Sequence, residues 1–586
     1  MKKSEKNIPA PVFHAESCCL LQRISEGLLL ALVILLPLKF ASLTLIPEVT
    51  AFFPEDWFSY LFCSWPPLVF GCFSGAVLLL TMLAFPIHAP GKVLSFLCVL
   101  IVLSLLGFCR ASTVDTGAAV MVHLLGLGAL TGAAHLTLAA DAGFERKLRI
   151  ALAFAAALAI CYGLYQYFWG FAEQQAFFWE YGTANLSHIP SGFAEKVYEE
   201  RVYSTFGSCN VFGGYLLLLL PHLAICAWRW GLFHSSRALG AGVVAVTLGA
   251  GIFLLWRTGS RSAILAETYT AGLAALLLIQ SKRWKIVVLC FIVALGSLGA
   301  FYFSSRSLES VEERVGYFKT SCKMMARNPL CGSGWGDFFT DHMREKHIND
   351  NSEAAHMPHN LLLDFGSQSG VLSMLVLLAL LVFPMRNLWG RSKRTHSLED
   401  FCVFFGLLAF LGHAMLDVDF QSLGTMGNLL LFLLLAEQRL EEPQENPFVR
   451  RYAMLYGALA LCAASSGAYA VTAEKRMDEL QQKLRRSDGS FLEVHLACSA
   501  VEKMRPFSPF HWLDYGDWLF TRQDYFGALS AYRTALRRAP EHPAIYYRLY
   551  QVSAAMGDPR AKLYLQEAAQ RFPAEKRYQQ ELQRSI

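Results

Sequence analysis

About thirteen stretches of this 586-residue chain are apolar over nearly the length that crosses a bilayer, and nothing else constrains the fold as much. A helix needs ~20 apolar residues to cover the hydrocarbon. The runs are 24–46, 67–86, 92–109, 117–140, 149–170, 211–230, 238–256, 262–280, 286–304, 360–384, 400–416, 424–438 and 452–472. Lipid offers no hydrogen bonds to a bare backbone, so such runs predict helices. The expected fold is therefore all-α: a polytopic transmembrane helical bundle of about 12–13 spans. Only 17% of the residues are charged and 54% are hydrophobic, whereas soluble domains carry about 25% charged residues. A single soluble enzyme is excluded. The net charge of +5 is too mild for a nucleic-acid binder, and no nucleic-acid partner is expected.

Sidedness follows from Lys/Arg bias in short loops. Basic clusters stand at Lys2/Lys3/Lys6, Arg146/Lys147/Arg149, Lys282/Arg283/Lys285, Arg386/Arg391/Lys393/Arg394 and Arg450/Arg451. With thirteen alternating spans all of them fall on one side. The expectation is a cytoplasmic tail (1–23), a membrane domain (24–472) containing a large extracytoplasmic loop (305–358), and an extracytoplasmic C-terminal domain (473–586). The run beginning near Ile24 has no clear small-residue cleavage site and reads as a retained anchor. Most of the 15 cysteines lie inside apolar runs and behave as small hydrophobes. A Cys322–Cys331 bridge would suit an oxidising compartment.

After Thr472 the composition becomes that of a soluble αα-repeat domain. Trp512, Tyr515, Gly516, Ala528, Tyr532, Ala535 and Pro540 take the offsets of a tetratricopeptide repeat. Tyr546, Leu549, Ala561, Leu565, Ala568 and Pro573 repeat the pattern, and a degenerate unit ends at Pro506. Repeats of this kind bind a protein partner or stabilise neighbours, and do no chemistry.

Charge near a bilayer costs roughly 2.5–3.5 kcal/mol per residue, so such residues are functional candidates. Four groups fall on the outer side. Arg201 precedes a Gly-rich entry to a span whose helix begins at Asn210; the two read either as a loop arginine and a cap or as a site facing an anion. Arg257-Thr-Gly-Ser-Arg261-Ser262 sets two cations at a tight turn. Arg261 starts the next helix, while Arg257 also suits an anchor at the interface. Arg314 opens a helical stretch reaching Arg327, followed by the turn-rich run Asn328–Gly336, which Trp335 rigidifies. The alternative for Arg314 is a plain ion pair with a neighbouring glutamate. Finally, His356-Met-Pro-His359-Asn360 leads into a helix with Asp364, Gly366 and Gly370. An imidazole there suits general-base or substrate-orienting work. The two histidines also make half a metal site, but no further ligand is evident, so no metal and no cofactor is expected.

These four segments in this order resemble the O-antigen ligase/polymerase family, best over roughly 200–440. The carrying residues are Arg201 with Ser204-Thr205-Phe206-Gly207 and Asn210, Ser260-Arg261-Ser262, Arg314 with Asn328-Pro329-Leu330-Cys-Gly-Ser-Gly, His359-Asn360-Leu361 with Gly366 and Gly370, and Asp417–Gln421. Ser367-Gln368-Ser369 departs from the family's more apolar stretch. The resemblance implies a metal-independent membrane glycosyltransferase at the outer face of a bacterial inner membrane. Its donor would be a glycan on undecaprenyl diphosphate, and its acceptor lipid A-core, another glycan or a protein hydroxyl. His359, Arg261 and Arg314 would be catalytic. Arg201, Arg257, Asn210 and His356 would bind substrate. Two other classes stay open: a lipid-linked-oligosaccharide flippase, which calls for repeated halves and mid-span charges, and a scaffold whose repeats recruit partners.

Overall fold

The computed structural model describes residues 12–43, 56–177, 179, 198–233, 236–290, 294, 309–352, 354–437, 449–486 and 490–584. Among these residues the secondary structure is helical throughout, with no strand. The first helices are α1 (Val12–Lys39), α2 (Phe70–Ala84), α3 (Lys92–Arg110), α4 (Val114–Ala140), α5 (Phe144–Tyr165), α6 (Cys209–Phe233), α7 (Arg237–Arg257) and α8 (Arg261–Leu278). There follow α9 (Glu309–Arg327), α10 (Asp337–Glu345), α11 (Leu361–Ser369), α12 (Val371–Thr395), α13 (Leu398–Ala414), α14 (Leu423–Glu437) and α15 (Val449–Arg485).

Nine helices among the described residues are long and apolar enough to cross a bilayer, which makes this a multi-pass membrane protein. The expectation was 12–13 spans, and four of the thirteen runs are not among these nine. The runs at 400–416 and 424–438 became helices of 17 and 15 residues, which at ~1.5 Å per residue fall short of a ~30 Å hydrocarbon core. The run at 262–280 forms α8, which includes Glu267 and is not among the nine. Of the run at 286–304, only 286–290 and 294 are described. The basic cluster Lys2/Lys3/Lys6 lies outside the described residues.

The run at 360–384 is broken. Gly370, at φ +94, ends α11 and starts α12. A side chain there would strike the Leu330 backbone, and Val371 N–H donates to the Pro329 carbonyl at 2.8 Å. Chain approach, not hydropathy, sets this break.

One continuous core joins α1 to α6, α12 to α14 and the first half of α15. The packing of α2 on α15 is closest at Gly71 and Gly75. A Cβ on Gly75 would lie 2.6 Å from the Ala460 carbonyl and 2.9 Å from the Ala464 side chain, the small-residue contact that lets membrane helices meet backbone to backbone.

At one end of the bundle Arg149 bonds Glu145 at 2.7 Å and lies 3.3 Å from Glu399, and Arg391 bonds Asp400 at 2.7 Å. At the other end lie the starts of α6, α8 and α11, the end of α13, and α9 and α10.

The helix α15 runs without interruption past residue 473. Its Ala460 and Ala463 belong to the bundle core, and its Met477 and Leu480 to a second core. That second core is built by α16 (Phe491–Met504) and the antiparallel pair α17 (Phe510–Thr521) and α18 (Tyr525–Arg538), with α19 (Pro543–Ala555). Next come α20 (Ala561–Arg571), which pairs with α19, and α21 (Lys576–Arg584). Of the residues singled out by spacing, Tyr515, Gly516, Ala528, Tyr532, Ala535, Leu549, Leu565 and Ala568 are buried, whereas Trp512, Tyr546, Ala561 and Pro573 are half-buried and Pro540 is exposed.

Glu502 ties α16 to this unit, accepting from Arg538, from Trp512 at 2.8 Å and from His511 at 2.7 Å. Burial alone would raise its carboxyl, but these hydrogen bonds outweigh burial and hold it below the ordinary carboxylate range. A depressed acid stabilises the fold above its unfolded value and loses that contribution as pH falls through the folded value. Glu502→Gln is therefore expected to lower the melting temperature of the full chain at neutral pH. The gap to wild type should close below about pH 4; a gap that stays constant down to pH 3 would refute the linkage.

Candidate functional site

Sequence-local chemistry builds the first part of the site. Arg201 Nε donates to the Thr258 carbonyl at 2.8 Å and its Nη2 to Asn210 Oδ1 at 3.0 Å. Val202 N–H donates to the Arg257 carbonyl at 3.1 Å. The strap before α6 is thus fastened to the turn between α7 and α8, and Arg201 and Asn210 do come together. Gly259, at φ +61, faces the Arg201 side chain, where a Cβ would lie 3.0 Å from Nε. Ser260 caps α8 by accepting from Ala263 N–H. Arg261 is exposed at the first position of that helix. Arg257 is held otherwise: its guanidinium stacks 4.6 Å over Tyr167 and lies 3.9 Å from Glu200. The stacking sets it against the segment that continues α5.

The second part converges on residues 413–419. Arg314 Nε donates to the Leu416 carbonyl at 3.2 Å. Asn360 Nδ2 donates to the neighbouring Met415 carbonyl at 2.9 Å, while its Oδ1 caps α11 by accepting from Leu362 and Leu363. Ser262, next to Arg261, reaches Asp417 Oδ2 at 3.4 Å and Ser260 Oγ at 3.2 Å. One short segment therefore receives the Arg314, His359-Asn360 and Arg261-Ser262 elements. The bond from the charged Arg314 is worth about 1.5–3 kcal/mol and the neutral bond from Asn360 about 0.5–1.5 kcal/mol, and together they hold the segment in one place.

His359 is half-buried, stacked on Tyr317 at 5.3 Å with 20° between the planes. Its backbone sits at φ +53, a left-handed conformation that costs a side-chain-bearing residue about 1–3 kcal/mol and gathers at functional sites. His356 turns elsewhere. Its ring stacks on Phe339 of α10 at 4.3 Å, so the two histidines face different partners. No three His, Cys, Asp or Glu side chains come together as a metal site among the described residues. Cys322 and Cys331 are separate thiols.

The run 328–336 is a rigid support. Trp335 is buried between Phe365 and Phe420. Ser333 and Gly334 N–H groups donate to the Ser367 and Gln368 carbonyls, and Gly336 N–H to Gln368 Oε1 at 2.7 Å. The polar Ser367-Gln368-Ser369 stretch is buried because it receives this loop. Asp337 accepts from Ser112 N–H at 2.9 Å, joining the support to the α3–α4 turn; burial still pushes its carboxyl up to about 6. His342, packed on Phe338, is brought down to about 4 by burial and stays a neutral core residue.

Sequence reasoning missed a buried ion-pairing group. His413 Nδ1 meets Asp419 Oδ2 at 2.7 Å, and both side chains are fully enclosed. His413 Nε2 lies 3.9 Å from Asp417 Oδ2. Gly214 of α6 packs directly on this pair. The signal was present: an ionisable residue inside an apolar helix is rarely idle.

A family model described as O-antigen ligase matches residues 243–378. The match supports the O-antigen ligase family. It takes in Arg257, Arg261, Arg314, His356, His359, Gly366 and Gly370, and leaves Arg201, Asn210 and the 413–419 segment outside. None of the curated proteins matches the chain.

Proposed function

We propose that this protein transfers a glycan from undecaprenyl diphosphate to an acceptor hydroxyl in cell-surface polysaccharide assembly. It would work at the outer face of a bacterial inner membrane, with a cytoplasmic N-terminus and a periplasmic C-terminal domain. The single observation that carries this reading is the convergence of Arg314, Asn360 and Ser262 on residues 415–417. That convergence gathers the cation-bearing and histidine-bearing segments at one end of the bundle. The O-antigen ligase match over 243–378 supports it independently.

In this reading the acceptor oxygen attacks the anomeric carbon while the bond from that carbon to the diphosphate oxygen breaks. The diphosphate leaves with the bonding electrons, its growing charge met by Arg314, Arg261 and Arg201. The proton of the acceptor hydroxyl passes to His359. Attack opposite the leaving group inverts the anomeric centre. Fixed cations aimed at developing charge are the most effective single source of rate, and no cofactor enters the scheme. Lipid A-core, a second lipid-linked glycan and a protein hydroxyl are the acceptors in view. The tetratricopeptide-like helices after α15 hold the loop of α9 and α10 and offer a surface for a protein partner.

The test is the purified full-length protein in liposomes, given a synthetic undecaprenyl-diphosphate glycan and each acceptor in turn, with and without a chelator. Product from one acceptor, unaffected by chelation, is expected. His359→Ala should lower turnover by about 10²-fold with donor binding retained. Full turnover in that variant would remove the histidine from the chemistry, and no product from any acceptor would overturn the reading.

A further inference from the structure

A cavity of about 840 Å³ lies between α4, the middle of α15 and residues 504–510, away from the arginine and histidine segments. Its walls are mostly apolar, with Leu68, Phe108, Met121 and Leu125 on one side and Ala470 and Ala473 on the other. Cys462, Ser465 and Tyr469 of the α15 wall are exposed, so the cavity opens sideways between two helices of the bundle. Where α15 leaves the bundle the lining changes character. Asp115 and Glu474 stand there with one lining cation, Arg505, while Asp514 is bonded by Gln481 with Arg485 and Arg548 near it. Arg505 lies 4.0 Å from one oxygen of Asp115. The other oxygen, Asp115 Oδ2, and Glu474 Oε2 are both buried with no hydrogen-bond partner among the described residues.

A buried carboxylate oxygen without a donor costs about 1–3 kcal/mol or more, so the polar end calls for N–H groups from a ligand. The apolar length beside it suits a hydrocarbon chain. Charge decides the class: two carboxylates, Asp115 and Glu474, against one guanidinium disfavour a diphosphate or any purely anionic headgroup. A quaternary ammonium carries charge but no N–H. A primary ammonium supplies three donors and a positive charge together, and a phosphate next to it can meet Arg505.

We propose that this cavity is a lipid site for a phospholipid bearing a primary ammonium. Its chain lies along the α4–α15 wall and its headgroup sits between Asp115, Glu474 and Arg505. The site is separate from the proposed transfer chemistry and stands without it. The bound lipid bridges the bundle and the helical unit where α15 crosses from one core to the other.

The experiment is native mass spectrometry of the full-length protein after delipidation and exposure to phosphatidylethanolamine, phosphatidylcholine or phosphatidylglycerol of matched chains. Phosphatidylethanolamine should be retained about tenfold over the other two. The paired change Asp115→Asn with Glu474→Gln should erase that preference. Ala470→Phe, which fills the apolar part without touching the charges, should lower retention of phosphatidylethanolamine and keeps the test decisive if the paired variant does not fold. Equal retention of the three lipids, stronger retention of phosphatidylglycerol, or undiminished retention in Ala470→Phe would each overturn the proposal.

Discussion

Replacing Arg314 with alanine is expected to lower glycan transfer by about three orders of magnitude, with the protein still present in the membrane. A cation 4 Å from a phosphate is worth about 4 kcal/mol at an effective dielectric near 20, and each 1.36 kcal/mol is tenfold in rate. Arg314 has a second duty, since its Nε–H holds the Leu416 carbonyl at 3.2 Å. Arg314→Lys separates the two. It keeps the charge but loses the planar fork that bonds a carbonyl and a phosphate together, so its rate should fall between alanine and wild type. The readout is initial rate in proteoliposomes, with melting temperature as the folding control. An alanine variant that turns over at the wild-type rate would remove Arg314 from the chemistry.

Asp419→Ala is expected to destabilise the protein by about 3–5 kcal/mol, the usual cost of removing one partner of a buried ion-pairing contact. Its carboxylate accepts from His413 Nδ1 at 2.7 Å with both side chains fully enclosed, leaving no route for water to replace it. Asp419→Asn keeps an acceptor oxygen in place and should lose much less. The measurement is denaturant or thermal unfolding of the purified single and double variants with His413→Ala. A coupling energy of at least 1 kcal/mol is expected for groups in direct contact. An alanine variant within 0.5 kcal/mol of wild type would show that the pair does not hold the 415–417 segment.

What could be read in the sequence was what depends on near neighbours. Arg201 and Asn210 are nine residues apart and meet as their spacing allows. The helix reaching Arg327 and the burial of Ala528, Tyr532 and Ala535 likewise follow from local periodicity. The bond from Ser262 to Asp417 spans 155 residues, and no local pattern encodes which ends of α8 and α13 share a corner. Hydropathy measures how apolar a segment is and not what encloses it: α14 is buried among other helices along its length, and α4, one of the nine long apolar helices, is mostly buried too. The departure at Ser367-Gln368-Ser369 looked like a weak point until the loop it receives was in view.

Beyond the bundle, α10 lies against the last helices of the C-terminal unit. Met343 is enclosed with Tyr547, Leu565, Phe572 and Tyr578, Phe339 reaches His542, and Arg344 pairs with Glu541. The same Phe339 carries the ring of His356. A protein that bound across Tyr547 and Phe572 would therefore compete with the chain's own helix, and its affinity would be set against the free energy that keeps α10 seated. Because such coupling is reciprocal, a substrate that orders the His356 segment would weaken that competitor by the same factor. Recruitment and turnover would then report on one another through a single aromatic contact.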